Sequence, residues 1–351
     1  MIQYIRLSEI NIEEHIGSRI FVTFLARDIS IKTQRDNINR YLNINMVDKD
    51  TVVPAKKFSI SKIEESMLKD GKVYNAAIDV QRYDKASCGY SCVIYNIDIS
   101  AEDSKDFVSW GKNIEVYRAL LEGYLNDIIE TDYGKITYEI LKNNWEEFNY
   151  WSAAQNIHHT RLGELLIHTV EVTAICIALA DYYNGIYGEQ FINKSLLMAA
   201  SILHDVGKIY EYDVSIDTGI TKKSTHSVLS THIIDIVTEV ELTAYKLGIG
   251  RQFDIEDEEE NKDDEDIQLE KEEIDLLKHC LAAHHKKLEY GSPIEPSIPE
   301  ASLLHSADEI SAQMYVFDKA FNSMEPGESF SRWIGTGYTM FYKETSKKYD
   351  I

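Results

Sequence analysis

The chain has 351 residues, of which 44% are hydrophobic and 27% charged. That is enough for two or three domains with cores of their own, and too ordinary for a fibrous or disordered protein. No uninterrupted apolar run approaches the roughly 18 residues of a membrane span, and the start, MIQYIRLSEINIEEH, lacks an apolar signal-peptide core. Cytoplasm is therefore the expected compartment, with no membrane partner. The net charge of −23 argues at first against nucleic acid. More than half of it comes from residues 254–275, where fourteen acids face Lys262 and Lys271. Residues 1–100 carry 14 Lys/Arg against 13 Asp/Glu, so the N-terminal part is close to neutral and the total decides little. Four cysteines, Cys88, Cys92, Cys176 and Cys280, are too scattered for a disulfide framework.

Residues 17–100 read mostly as strands. Ile20–Ile29, Arg40–Met46, Lys72–Val80 and Tyr90–Ile99 are rich in β-formers and partly alternate, with turn residues between them. Thr51–Val53 adds a short strand, and Ser59–Leu68 reads as a short helix capped by a serine. Four or five strands interrupted by one helix suggest a small barrel of the OB type, although another small all-β domain would fit the pattern nearly as well. From Ser100 the period changes to helical. The helices expected are Phe107–Ile129, Ile136–Trp151, Leu162–Ala180, Leu196–Leu203, Thr225–Leu247, Ile274–Ala283 and Glu300–Phe321. Arg251–Glu273 has almost no apolar content and reads as a solvated insertion. The aromatic-rich tail, Phe330–Tyr342, adds strands or packs back on the body. The division expected is 1–100 as the barrel, 101–150 as a helical connector, 151–321 as a helical catalytic domain, and 322–351 as the tail.

The chemistry converges on LLMAASILHDVGKIYE (196–211). An almost continuously apolar helix ends abruptly in His204-Asp205, and burying either group is costly unless it is paired or bound to a metal. His168 lies in LLIHTVEV, His232 in STHIIDIV, His284-His285 in AAHHKK and Asp308 in LLHSADEI. Taken singly each has an ordinary explanation: a satisfied core histidine, a surface residue, a polar helix end, a salt-bridge partner. Together they would require several helices each to bury a metal-type side chain by chance. Imidazoles and carboxylates without thiolate suit manganese, iron, cobalt or zinc. A shared carboxylate, Asp205, could bridge two ions roughly 3.5–4 Å apart, with a water between them acidified to supply hydroxide. His168, His204, Asp205 and Asp308 would hold one ion; His232, His284 and His285 would hold the second beside Asp205. Lys208 would meet a phosphate oxygen.

H…HD…D with HDVGK resembles the HD-domain metal-dependent phosphohydrolases. More narrowly, AAQNIHHTRLGELLIHT (153–169), ILHDVGKIYE (202–211), AAHHKKLEYGSPIEPSIPEASLLHSADEI (282–310) and FSRWIGTGYTMFY (330–342) resemble the YhaM-type 3′→5′ exoribonucleases, strongly over 150–342 and weakly over the first 100 residues. The resemblance implies an all-β OB-fold barrel followed by an all-α HD domain. It also implies a metal set of His168, His204, Asp205 and Asp308, with His232, His284 and His285 at a second ion or the substrate. His158, His159, Lys208 and Tyr290 fall on the substrate side, and Asp205 and Lys208 are the catalytic pair. Two divalent ions per chain follow, manganese first.

Two departures stand out. Where the family has paired glycines before LLxHT, this chain has Gly163-Glu164. Glu164 shares a helix face with His168, so it reads as a surface glutamate or as a third-metal ligand. The acidic run at 251–273 reads as a tolerated surface loop or, more sharply, as a gate near the RNA path. The barrel would grip single-stranded RNA, or DNA, by stacking bases on aromatics such as Tyr41, Phe58, Tyr74 and Tyr83, at least half of which are expected to be core. The reading is a metal-dependent 3′→5′ exoribonuclease, with homo-oligomerisation left open. One alternative is an HD phosphohydrolase of free or cyclic (di)nucleotides, distinguished by activity on nucleotides alone. The other is a catalytically silent RNA-binding protein, distinguished by the absence of bound metal.

Overall fold

The computed structural model describes residues 3–33, 39–83, 89–154, 161–188, 190–251, 263–322, 324, 327–331 and 340–344. Contacts divide the chain into two compact units. One is Met1–Ser109 with Ser215–Ile220 and Val316–Ile351; the other is Trp110–Val214 with Thr221–Tyr315.

In the first unit a short strand β1 (Ile5–Arg6) runs parallel to β2 (Arg19–Thr33). β2 then forms a closed ring with β3 (Arg40–Asp48), β4 (Thr51–Phe58), β6 (Tyr90–Ile99) and β5 (Val73–Arg82), returning to β2. The β4–β6 pairing is parallel, through Ala55↔Cys92 and Lys56↔Val93, and the other ring pairings are antiparallel. A helix α1 (Lys62–Met67) connects β4 to β5. This strand order, with a helix before the fourth ring strand, is that of an OB fold, as expected. Closure depends on β2 serving two partners, β5 along Arg19–Leu25 and β3 along Leu25–Thr33. The register slips between Arg27 and Ser30, and Asp28 takes a left-handed φ of 55° there. That bulge bends the strand from one neighbour to the other. Phe24, Leu42, Met46, Tyr74, Ile78 and Ile94 fill the interior. Cys92 is also buried inside the ring, whereas Cys88 lies outside the described residues.

Two elements differ from expectation. β4 runs through Phe58 rather than stopping at Val53. Pro54, which cannot donate to the ladder, lies opposite Asn45 of β3, one residue before β4 begins its pairing with β6 at Ala55. α1 starts at Lys62, with Ser61 and Glu64 forming a reciprocal capping box, whereas Ser59 is left-handed at φ 56°.

The second unit contains α2 (Ile114–Ile128), α3 (Asp132–Asn143), α4 (Trp145–Tyr150), α5 (Glu164–Tyr187), α6 (Lys194–Leu203), α7 (Lys208–Glu211), α8 (His232–Lys246) and α9 (Asp264–Ala283). A hairpin of β7 (Tyr212–Ser215) and β8 (Ile220–Lys223) follows α7, and α10 spans Pro299–Asn322. α6, capped by the Asn193 side chain on Leu196 N–H, is buried on every side from Leu196 to Leu203. Its small residues Ala199 and Ala200 join Leu165, Val172 and Cys176 of α5 in the core.

The hairpin was not expected, since strands of four residues around an Asp-Thr-Gly turn carry little periodicity. α2 starts at Ile114 rather than Phe107, after left-handed Asn113, and α8 starts at His232, capped by Thr231. α9 begins ten residues earlier than the apolar pattern suggests. Asp263 caps it, and Asp264, Glu265 and Asp266 occupy its first turn, where negative charge suits the helix dipole. The second half of the acidic run is therefore helical, while 252–262 lie outside the described residues.

Among the described residues, α5 has the length and mean hydropathy of a membrane span, 1.6 over 18 residues. No such segment was expected, because no uninterrupted apolar run approaches that length. In the fold α5 is a core helix: Leu165, Leu166, Val170 and Val172 are buried in the second unit's core.

Candidate metal centre

Helices α5, α6, α8, α9 and α10 deliver the candidate residues. His204 and Asp205 follow α6 directly, and the turn into α7 is completed by Gly207. Its φ is an ordinary −58°, so the glycine is required by space rather than by conformation. A Cβ there would meet the His232 carbonyl oxygen at 2.2 Å, so the missing side chain lets the start of α8 lie against this turn.

His168 Nε2 lies 3.3 Å from Asp205 Oδ2 and 3.1 Å from Asp308 Oδ1. His204 Nε2 lies 3.4 Å from Asp205 Oδ2, 3.9 Å from Asp308 Oδ1 and 3.3 Å from His168 Nε2. On the other side of the same carboxylate, His232 Nε2 is 3.8 Å from Asp205 Oδ1. The ring of His232 stands 5.6 Å from that of His284 and 5.2 Å from that of His285. Two groups of donors result, His168 with His204 and Asp205, and His232 with His284 and His285. Within each, the donor atoms lie within 4.8 Å of one another.

Each imidazole is held by its outer nitrogen. Nδ1 of His204, His284 and His285 meets the carbonyl oxygens of Ser201, Leu281 and Tyr290. Nδ1 of His232 meets Glu211, and Nδ1 of His168 meets the Ser311 hydroxyl. A nitrogen facing an acceptor carries the proton, which leaves Nε2 as a lone pair in the neutral ring. With both rings neutral, His168 and His204 would face each other lone pair to lone pair at 3.3 Å. The Nε2 atoms of His232 and His284 are buried without a hydrogen-bond partner. An unmet buried polar atom costs about 1–3 kcal/mol, and one cation between the inward nitrogens of each group would satisfy them together. The donor set fits divalent ions.

The electrostatics agree. Burial alone would push the His168 imidazole down, but hydrogen bonds to Asp205 and Asp308 override it and raise the pKa to about 9. A proton there takes the place that a cation would occupy. Asp205 is held well below the usual carboxylate range; burial opposes this, and Lys208, His204 and His168 overcome it. Asp308 is likewise driven down, against burial, by His168 and His204. His284 is pushed well below the usual histidine range by burial and then by its neighbours His285, His204 and His232, so its ring is neutral. Burial, then His232, lowers His285. Asp308, with 22% of its side chain exposed, and half-buried His285 are the members open to solvent.

Lys208 Nζ lies 2.6 Å from Asp205 Oδ2. Tyr290 is 61% exposed, and its carbonyl oxygen accepts from His285. His158 and His159 lie outside the described residues. Glu164 is not a surface glutamate. Only 3% exposed, it accepts from the Arg161 N–H and the Tyr315 hydroxyl, because the left-handed Gly163 turns it into the first turn of α5. Sequence reasoning did not single out Glu211, Ser311 or His305, whose Nδ1 donates to the His284 carbonyl oxygen at 2.8 Å. Glu211 lies inside ILHDVGKIYE, but nothing in a single sequence pairs Ser311 with a residue 143 positions away.

On the barrel, a groove of about 400 Å³ is lined by residues including Asn43, Asn45, Lys56, Phe58, Gln81 and Tyr83. Phe58 and Tyr83 are 52% and 45% exposed, and Tyr41 stacks on Phe58 with centroids 6.3 Å apart. Tyr74 is fully buried, with its hydroxyl donating to Met67 O and accepting from Lys69 N–H. Of the four aromatics expected at this face, Tyr74 alone is wholly core.

Residues 165–313 match the HD domain family. The 3′-5′ exoribonuclease YhaM of Bacillus velezensis is 26% identical over 94% of this chain and 96% of its own length. The YhaM of Listeria monocytogenes is 26% identical over 92% and 94%. That of Bacillus subtilis is 30% identical over 64% and 62%. Among solved structures, the second OB-fold domain of replication protein A from Methanococcus maripaludis overlaps 28% of this chain and 97% of its own, at 10% identity and a TM-score of 0.22; the barrel is identified by its strand order. With an OB barrel and an HD domain, the chain is similar along nearly its whole length to the YhaM-type exoribonucleases.

Proposed function

We propose that this protein is a cytoplasmic, metal-dependent 3′→5′ exoribonuclease that removes nucleotides from single-stranded RNA, with single-stranded DNA as a further candidate substrate. The observation that carries the reading is Asp205, whose two oxygens face two separate groups of inward-pointing imidazole nitrogens. His168, His204, Asp205 and Asp308 would hold one divalent ion, and His232, His284 and His285 the other beside Asp205. Manganese is the first candidate, with iron, cobalt or zinc as alternatives. Bound there, such ions supply Lewis-acid activation of water and neutralise charge on the phosphate.

The chain's own residues do the rest. Asp205 stays ionised because Lys208, His204 and His168 outweigh the burial that would raise its pKa. Lys208 keeps its ammonium protonated, since Asp205 outweighs the burial that would lower it. That charge is placed to leave Asp205 for a phosphate oxygen and stabilise charge developing on phosphorus. His158, His159 and Tyr290 would line the approach of the 3′ end. No metal-binding role is proposed for Glu164, whose carboxylate is committed to Arg161 and Tyr315. On the barrel, Phe58 and Tyr83 would stack bases, and Lys56 would meet the backbone, giving grip with little sequence preference.

The test is a time course on 5′-labelled single-stranded RNA with added manganese, using the wild type and Asp205→Ala. A ladder shortening from the 3′ end, lost in the variant, is expected. No cleavage of RNA or DNA with manganese, cobalt, iron or zinc would sink the reading and favour a phosphohydrolase of free nucleotides.

A further inference from the structure

The histidines of the site differ in what holds their outer nitrogens. His204, His284 and His285 rest on backbone carbonyls, at 2.7, 2.7 and 3.2 Å. Such acceptors are present whatever the side chains are. The remaining two, one in each donor group, rest on side chains. His232 Nδ1 donates to Glu211 Oε2 at 2.7 Å. His168 Nδ1 donates to Ser311 Oγ at 3.1 Å, and the Ser311 hydroxyl in turn donates to Glu171 Oε2 at 3.0 Å.

Glu211 reaches from the last residue of α7 to the first residue of α8. A simpler role would be to cap α8. That work is already done by Thr231, whose side chain accepts from Ile234 N–H. Glu211 instead meets the ring, and the side chains of His232 and Glu211 are only 10% and 14% exposed. A carboxylate on Nδ1–H fixes the tautomer, sets the ring plane and raises the basicity of Nε2. The nitrogen so prepared is the buried, partnerless Nε2 that lies 3.8 Å from Asp205 Oδ1. Ser311, itself buried, relays Glu171 to His168 in the same sense.

We propose that Glu211 and Ser311 are positioning residues, each governing one half of the centre. Glu211 sets affinity for the ion held by His232, His284 and His285, and Ser311, backed by Glu171, does so for the ion held by His168, His204 and Asp308. The inference rests on the two-ion reading above.

The experiment titrates Mn²⁺ into the full chain and reads free Mn²⁺ by electron paramagnetic resonance, with circular dichroism confirming the fold. Wild type, Glu211→Ala, Glu211→Gln and Ser311→Ala are compared. Glu211→Ala should weaken one class of site by about 10–100-fold and leave the other unchanged. Ser311→Ala should weaken the other class. Glu211→Gln, whose amide oxygen still accepts from Nδ1–H, should recover most of the loss, which a merely charge-stabilised fold would not do. A Glu211→Ala isotherm that overlays the wild type overturns the proposal. So does equal weakening of both classes by each variant, or a Gln variant no better than Ala. Wild type that binds no Mn²⁺ defeats the two-ion reading itself, a failure distinct from normal binding unchanged by the substitutions.

Discussion

Both units bury a carboxylate, and they treat it in opposite ways. In the barrel unit, Asp48 is fully buried at the end of β3. It accepts from Arg6 Nη2 at 2.7 Å and Nε at 3.1 Å, and from Ser8 N–H at 3.0 Å and Oγ at 2.7 Å. Its lone pairs are met and its charge is balanced. In the helical unit, Asp205 is surrounded by imidazoles whose inner lone pairs a carboxylate, itself an acceptor, cannot satisfy, and the Nε2 atoms of His232 and His284 stay buried and partnerless. A satisfied buried charge holds a fold together. A buried charge among unsatisfied donors marks where something else binds.

The largest effect should come from opening that contrast at its centre. Asp205→Ala should lower RNA turnover by about three orders of magnitude, roughly 4 kcal/mol of barrier, while thermal unfolding shows a fold that persists. Full activity in this variant would remove the distinction between the two carboxylates.

Next in size is Gly207→Ala. The added methyl would push on the His232 carbonyl, so a loss of about 1–3 kcal/mol in denaturant unfolding is expected. Weakened Mn²⁺ binding should accompany it, since α8 carries His232.

On the barrel, Phe58→Ala or Tyr83→Ala should cost about 1–3 kcal/mol per stacked base in binding a labelled oligonucleotide. Stability should barely move, because both side chains are about half exposed. Turnover of saturating substrate should also be unchanged, which separates grip from chemistry.

The smallest effect tests the structural carboxylate. Burial would raise the Asp48 pKa, but Arg6 and Ser8 hold it below the usual value. A depressed carboxylate stabilises the fold above its unfolded pKa, near ~3.9, and loses that contribution as pH falls through the folded value. Asp48→Asn should therefore be less stable than wild type at neutral pH by about 1–3 kcal/mol. The gap should close in unfolding curves taken below about pH 4, with RNA turnover at neutral pH retained.

The centre was legible because burial of charge is anomalous in a sequence. His204-Asp205 ends an apolar helix, and His168 interrupts another, so both stood out before any fold was known. The ring of strands was legible from alternation and an OB-type barrel was expected, but the residues that close it were not singled out. Closure rests on the bulge at Arg27–Ser30 and on β4 continuing past Pro54, a residue that reads as a stop. The start of α9 was hidden because dipole and cap, rather than apolar spacing, specify it. The anchors of the histidines were hidden for a different reason. His168–Ser311 and Ser311–Glu171 join α5 to α10, and only the folded core brings those helices together.

The proposed centre turns on one carboxylate, Asp205, serving two ions at once. Its most direct test is the electron paramagnetic resonance spectrum of the wild-type protein loaded with Mn²⁺ to saturation. Two ions sharing Asp205 should give the signal of an exchange-coupled pair, replaced by that of isolated Mn²⁺ in Asp205→Ala. A saturated wild type showing only isolated ions, with the variant unchanged, would contradict the account.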